Sequence, residues 1–430
     1  MARDTFYTGI DLGTSKISTL VAKVGGEGDL QVLGIGISQA EGIEKGMVTD
    51  VPAATEAIRA SVDEACRYIG RSPSPAHIAI SGAHITCRNV QVSMPASGQG
   101  AKPVTREDVR GLVRAAYAET DPDMENLHII TREFIVDGLR GVRNPVGLDA
   151  EEVCLEATVV AGNSIAIQNT HKAVEKAGMV VDSLVISALA SADSVLTEDE
   201  KELGVVLLDI GAGTTDVAVF KTGKLIHICT IPVGGHQVSK DLSIALGVPY
   251  EYAEELKLRW GCVLPEMVDA SEEVLLPTMH GTGHKSFKRV DLCSPIYERI
   301  VETLHLVVMR LRQAGMERLP AAGVVLTGGT ATMAGMVDLA KRAFHCPVRI
   351  GMPRELEGLP EEMHSPAFGA SVGILLWSVR HHGEVRSYAA RRSEALAGYK
   401  TVFTRLSSST NARLKTAGHK FSAEFKKIYA

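Results

Sequence analysis

The apolar and polar positions of the chain predict one layout twice. Residues 8–12 read as a strand that ends in Asp11-Leu12-Gly13-Thr14-Ser15-Lys16, and a β-rich run follows over 17–24. Turn chemistry occupies 25–29, and 30–37 reads as a returning strand. The order repeats near residue 205. The apolar run 205–208 enters Asp209-Ile210-Gly211-Ala212-Gly213-Thr214-Thr215-Asp216, a strand covers 217–220, a tight turn 221–224, and a strand returns over 225–231. Two copies of strand, Asp-x-Gly loop with hydroxyls, strand, turn, strand indicate an internal duplication. A third apolar strand, 323–326, runs into Thr327-Gly328-Gly329-Thr330, with a helix expected from Met333 to Phe344. Residues 253–257 are helical by pattern, and 295–312 is amphipathic. Thr105-Arg106-Glu107-Asp108, followed by an amphipathic run to Ala118, reads as a capped helix.

The loops suit phosphate. Glycine lets the backbone come close and adopt positive φ, and successive N–H groups can form an anion nest. Thr14, Ser15, Thr214 and Thr215 add hydroxyl donors. Asp11 and Asp209 would repel phosphate, so their fitting role is to hold Mg²⁺ through water, since Mg²⁺ keeps much of its hydration. A P-loop requires GxxxxGK[ST], which is absent, and a dinucleotide fingerprint requires a helix where strands follow here. The Gly328, Gly329 and Thr330 turn suits the ribose and α-phosphate side of a nucleotide. Glu254 and Lys257, three apart on one helical face, either grip a ribose and cover a base or form a surface ion pair.

Composition narrows the class. The chain has 430 residues, 45% hydrophobic and 22% charged, which is ordinary for a globular protein of two to three domains. A net charge of -6 and 5% aromatic residues argue against a nucleic-acid binder. No apolar run approaches the roughly 18 to 20 residues of a spanning helix, and the N-terminus has no apolar signal core. Seven cysteines without CxxC pairing read as thiols of a reducing cytosol. His381-His382 reads as a solvated helix end.

The charge is uneven. Residues 386–430 carry ten Lys and Arg against two acids, a balance of +8 that leaves -14 on the rest. Within this tail, Leu414, Phe421, Phe425 and Ile428 are spaced for one helical face, with Tyr429 beside them. Lys415, Lys420, Lys426 and Lys427 lie on the other side or its borders. Such a helix lies in a membrane interface rather than spanning it, and the alternative is a terminal helix docked on the body. Each lysine near an anionic leaflet contributes about 1 kcal/mol. One foot is therefore marginal, and many feet on a polymer would hold by avidity. Residues 383–410 read as a flexible linker.

The three loops in this order resemble the actin-like ATPase superfamily, and within it the FtsA cell-division family. The resemblance rests on Gly9-Ile10-Asp11-Leu12-Gly13-Thr14-Ser15-Lys16, Leu208-Asp209-Ile210-Gly211-Ala212-Gly213-Thr214-Thr215-Asp216 and Leu326-Thr327-Gly328-Gly329. It is joined by Ile80-Ser81-Gly82, Asn144-Pro145-Val146-Gly147-Leu148 and Ser194-Val195-Leu196-Thr197-Glu198-Asp199-Glu200. It covers nearly all of 5–380 and implies an α/β, ribonuclease H-like, two-lobed fold. The first lobe core (1A) would comprise 1–85 and 162–203, with 365–382 packing back on it. An inserted 1C interaction subdomain would span 86–161. The second lobe core (2A) would comprise 204–239 and 319–364, subdomain 2B 240–318, and an amphipathic membrane helix 411–430. The implied cofactors are ATP and Mg²⁺, with Asp209 organising Mg²⁺ and water, and Glu254 and Lys257 at the adenine and ribose.

The implied role is a filament-forming protein at the division site. It would lie on the inner face of the bacterial cytoplasmic membrane and anchor the FtsZ ring. Its partners would be the FtsZ C-terminal tail, its own copies, anionic lipid and other division proteins through 1C, with no nucleic acid. Arg289 and Arg299, near the 295–312 helix, are candidate anchors for the FtsZ tail, or plain surface charges. One departure bears on catalysis. Ser187 falls where related ATPases carry a water-orienting Glu or Gln, which implies slow hydrolysis, with Asp193 as a substitute. The rival is a phosphotransferase, such as a sugar kinase, or a chaperone-like ATPase of the same fold.

Overall fold

Apolar side chains on strands 1 and 2 explain why the first lobe is built on a sheet buried on both faces. The computed structural model describes residues 5–25, 30–67, 69, 75–95, 101–118, 121–277 and 284–381. Strand β1 (Thr5–Leu12) and β2 (Lys16–Val24) are antiparallel, and β3 (Leu30–Gln39) adds the edge. Helix α1 (Val51–Cys66) starts where the Asp50 carboxylate accepts from Ala53 N, with a proline in its first turn. It buries Ala54, Ile58 and Val62 in the first core. Strand β4 (Ala76–Ile80) then runs parallel to β1.

The inserted block comes next. It comprises β5 (Ile85–Pro95), α2 (Arg106–Ala118), β6 (Met124–Val136), β7 (Leu139–Val142) and β8 (Glu152–Asn163). Its sheet has the order β7-β6-β8-β5. Thr105 Oγ1 accepts from Asp108 N while the Asp108 carboxylate accepts from Thr105 N, a reciprocal cap. Helix α2 lays Leu112 and Ala116 against Phe134, Leu155 and Val159, a core separate from that of the lobes.

The chain returns through α3 (Ser164–Lys176), which Asn163 caps, to β9 (Val181–Ile186), parallel to β4. The buried helix α4 (Ser187–Val195) and the short α5 (Glu198–Leu203) follow; Thr197 and Glu200 form a capping box for α5. The second sheet is built from β10 (Val205–Ile210), β11 (Thr215–Lys221) and β12 (Lys224–Ile231). Helices α6 (Gly235–Leu246), α7 (Tyr250–Trp260) and the long α8 (Arg289–Gln313) cover it. Helix α8 buries Leu292, Ile296, Ile300, Leu304, Val307 and Leu311, one face at helical spacing. Strand β13 (Val324–Thr327), helix α9 (Met336–Phe344) and β14 (Val348–Ile350) complete the lobe.

The two sheets share one topology, β3-β2-β1-β4-β9 and β12-β11-β10-β13-β14. In each, an antiparallel meander of three strands is extended by two parallel strands from the first strand of the meander. This is the duplication expected from the loops, present in three dimensions. The last helix, α10 (Gly369–Arg380), packs on α4 and β1. Glycine sets that approach: a Cβ at Gly373 would meet Ala190 O at 1.8 Å.

One element starts later than expected. The helix after the Gly-Gly turn begins at Met336, not Met333. Residues Gly329–Thr332 form a 3-10 turn instead, and Gly335 takes φ +82 against Leu264 and Val263, which interrupts an α-helix. The linker and foot, 383–430, lie outside the described residues, as does His382.

Candidate functional site

Both Asp-x-Gly loops leave the C-terminal ends of the first strands of their sheets, so the duplication aims them at each other. Between them lies a cleft of about 430 Å³. Gly13, Thr14, Ser15 and Lys16 line it from the first lobe, and Gly211 and Thr214 from the second. The loops touch: a Cβ at Gly213 would stand 2.6 Å from Thr14 Oγ1, so glycine is required there. The second loop closes on itself through Gly211 N donating to Thr214 O at 2.9 Å. Thr215 does not line the cleft. It is fully buried, and its hydroxyl donates to Val233 O at 2.8 Å, so it fastens the start of β11 rather than facing a ligand.

Three carboxylates converge at the cleft floor. Asp209 accepts from Ser191 Oγ at 2.6 Å, Asp11 from Ser371 Oγ at 2.8 Å, and Asp216 from Ser81, Thr214 and Thr230. Burial pushes Asp209 up to about 7, with the nearby Asp216 charge adding to the effect. Burial also raises Asp216 to about 6 and raises Asp11. Lys16 is lowered by burial; its ammonium sits over the Phe368 ring, 3.5 Å from the centroid. Crowded carboxylates that resist ionising fit a site for a divalent cation, which would relieve their repulsion. Among the described residues no group of three or more His, Cys, Asp or Glu is placed to hold a metal directly.

The other end of the cleft is formed by Glu254, Lys257, Gly328, Gly329 and Thr330. Glu254 and Lys257 are paired at 2.8 Å. Lys257 is buried and also donates to Gly235 O at 3.1 Å. They are a cleft pair, not a surface pair. Gly328, at φ +86, passes so close to the second loop that a Cβ would meet Asp209 Oδ1 and Ile210 O, each at 2.5 Å. Thr330 Oγ1 donates to Gly211 O at 2.9 Å, tying the third loop to the second.

Ser187 lines the cleft at the start of α4. Asp193 does not serve as its substitute. Asp193 Oδ1 is paired with Arg380 at 2.7 Å and with Lys201 at 3.4 Å, two turns further along α4, and it is not among the cleft-lining residues. Arg289 is not on an outer face: it lines the cleft, donating to Trp260 O at 3.0 Å and to Glu272 at 2.8 Å. Arg299 joins α8 to α6 through Asp241 and is shared with Glu302. Sequence reasoning missed Asp216 and Ser81 as cleft residues, and Ser191 and Ser371 as the hydroxyls that hold Asp209 and Asp11. The available signal was a charge or hydroxyl set into an apolar stretch, as in Thr215-Asp216-Val217 and Ala190-Ser191-Ala192.

Two lobes of one topology, clasping a cleft between paired Asp-x-Gly loops, define a protein of the actin-like ATPase fold. A solved structure, the PilM-PilN type IV pilus biogenesis complex, has the same fold at a TM-score of 0.61. It is 16% identical and covers 87% of this chain and 98% of that one. A family model described as cell division protein FtsA matches residues 206–373, and one for the SHS2 domain inserted in FtsA matches 82–161. Cell division protein FtsA of Pseudomonas aeruginosa is 37% identical over 386 residues, which is 90% of this chain and 92% of that protein. Its counterpart in Escherichia coli K12 is 36% identical over 398 residues, 91% and 94% of the two chains. The chain belongs to the FtsA cell-division protein family. Among the described residues no helix is long and apolar enough to cross a membrane.

Proposed function

We propose that this chain binds Mg·ATP in the interlobe cleft and polymerises on the inner face of the cytoplasmic membrane, where it anchors the FtsZ ring. The observation that carries the nucleotide reading is the meeting of three glycine loops around three buried carboxylates and one lysine. Backbone N–H groups of the first two loops, with the Thr14, Ser15 and Thr214 hydroxyls, would hold the phosphates. Asp11 and Asp209 would orient a hydrated Mg²⁺, which supplies charge neutralisation when bound. Lys16 offsets phosphate charge. Glu254 and Lys257 suit the ribose and base, beside Gly328, Gly329 and Thr330. Ser187 is too short to place an attacking water, so hydrolysis is slow.

Family membership supports the cell-division role. The basic amphipathic tail, with Leu414, Phe421, Phe425, Ile428 and Tyr429 against Lys420, Lys426 and Lys427, supports a membrane foot. The exposed side of α8 around Arg299 suits the FtsZ tail, and the inserted domain, with its own core, suits later division partners. Liposome co-sedimentation with and without ATP, comparing the intact chain with one ending at Ser407, tests the reading. ATP-dependent sedimentation that truncation abolishes is expected; binding unchanged by truncation refutes the foot. ATP consumption on adding common sugars would instead favour a phosphotransferase.

A further inference from the structure

Ser81 belongs to the first lobe, just after β4, and its hydroxyl reaches the second lobe. Ser81 Oγ donates to the Asp216 carboxylate, 2.6 Å from Oδ2 and 2.8 Å from Oδ1, and lies 3.1 Å from Thr214 Oγ1. All three residues are buried and line the cleft floor. A serine hydroxyl has one proton to donate and lone pairs to accept. With that proton on Asp216, Ser81 Oγ offers the Thr214 hydroxyl an acceptor at 3.1 Å, nearer than Asp216 Oδ2 at 3.4 Å. Thr230 fixes Asp216 from its own lobe. A chain of hydroxyls thus runs from the second phosphate loop, through the first lobe, and back to a buried carboxylate of the second.

The backbone at Ser81 is held as firmly as its side chain. Gly46 approaches so closely that a Cβ there would meet the Ser81 carbonyl carbon at 2.7 Å. Gly82 follows at φ +136, a conformation that favours glycine, and its carbonyl accepts from Ile85 N at 3.1 Å. Ser81 therefore has one place to be when the lobes are together. Removing its hydroxyl leaves a desolvated carboxylate short of a donor and leaves Thr214 without its acceptor in the first lobe.

We propose that Ser81 is a positioning residue for the second phosphate loop. It acts through Thr214 and Asp216, so that tight polyphosphate binding depends on docking of the first lobe against that loop. The inference rests on the Mg·ATP reading of the cleft. Its reach is the β- and γ-phosphates, because the groups it orients belong to the second loop and not to the Gly328 to Thr330 end.

Calorimetric titration of the full chain with ATP, ADP and AMP, each with Mg²⁺, tests it on Ser81→Ala, Ser81→Thr and the isosteric Ser81→Val. Loss of one hydrogen bond to a charged group predicts about tenfold weaker ATP and ADP binding for the alanine and valine variants. AMP binding should be unchanged, and threonine, which keeps the hydroxyl, should restore polyphosphate affinity over valine. If Ser81→Ala does not fold, the threonine and valine pair decides alone. Equal losses for all three nucleotides, or threonine no better than valine, overturns the proposal. A wild-type chain that binds none of the nucleotides defeats the ATP reading and this proposal with it. Wild-type binding that Ser81→Ala leaves unmoved defeats this proposal only.

Discussion

At the scale of single residues, Asp209 is a carboxylate whose surroundings oppose its charge. Burial and the Asp216 charge push its carboxyl up to about 7 in the folded chain, whereas an unfolded Asp keeps its ordinary value of 3.8. The folded state therefore binds this proton more tightly. The stabilisation it gives is complete below the unfolded value and is lost as pH rises through about 7. In the absence of nucleotide and Mg²⁺, the melting temperature should rise on acidification from pH 8 to 6, and Asp209→Asn should flatten that rise. Scanning calorimetry across this window checks it. The same side chain is expected to organise Mg²⁺ and water, so Asp209→Ala should abolish ATP hydrolysis. Fast single-turnover hydrolysis that survives Asp209→Ala would contradict both the site and the slow-turnover reading. Asp209 and Asp11 were legible in the sequence because each ends a strand in an Asp-x-Gly turn. Asp216 was written in the same motif, but its part could not be read there: what makes it a cleft residue is Ser81, 135 positions away.

At the scale of elements, the packing of α10 on α4 decides how the last described helix returns to the first lobe. The approach is limited by Gly373 against the Ala190 carbonyl and by Gly9 against Ile374. A methyl group at 373 has backbone, not a flexible side chain, in its way. Gly373→Ala should therefore destabilise the chain by about 3 kcal/mol, the upper part of the usual range for overpacking. Chemical denaturation should show a lowered midpoint with an unchanged slope. Helix and strand existence was legible from periodicity in β1 to β3, β10 to β12 and α2, where one face or both are apolar at the right period. The late start of α9 was not. Its cause is the backbone conformation of Gly335, pressed between Val263 and Leu264 from a loop more than sixty residues earlier.

At the scale of the whole molecule, the proposed function assigns the acidic body and the basic tail to different tasks. A tail of +8 is drawn to anionic lipid, and a body of -14 is not. Membrane sedimentation should accordingly fall with salt and with the removal of anionic lipid, and should fall further for chains that cannot self-associate. Vesicles of graded anionic content read this directly. Helix α8 would tie the two proposed sites into one body. Its first residue, Arg289, lines the nucleotide cleft, and Arg299, ten residues on, is paired with Asp241 of α6. Arg299→Glu should weaken FtsZ-tail binding by about tenfold, the worth of a charge-assisted hydrogen bond lost to repulsion, and should leave ATP affinity unchanged. Fluorescence anisotropy with a labelled tail peptide, beside nucleotide titration, separates the two effects.

What the sequence determined by itself was local: the repeated strand and glycine-loop units, the capped helix of the inserted block, and the asymmetry of charge. Each of these is set by neighbours within a few turns of chain, through periodicity, turn chemistry and capping. The tertiary structure decided which polar groups face one another across the cleft. It drew Asp216 into contact with Ser81, moved Arg289 from an assumed outer face to the cleft wall, withdrew Thr215 beneath the β11 start, and committed Asp193 to Lys201 and Arg380. Those outcomes follow from the burial of charge. A carboxylate or guanidinium removed from water must find its partner wherever the packed lobes bring one, and that position is set by the fold and not by spacing along the chain.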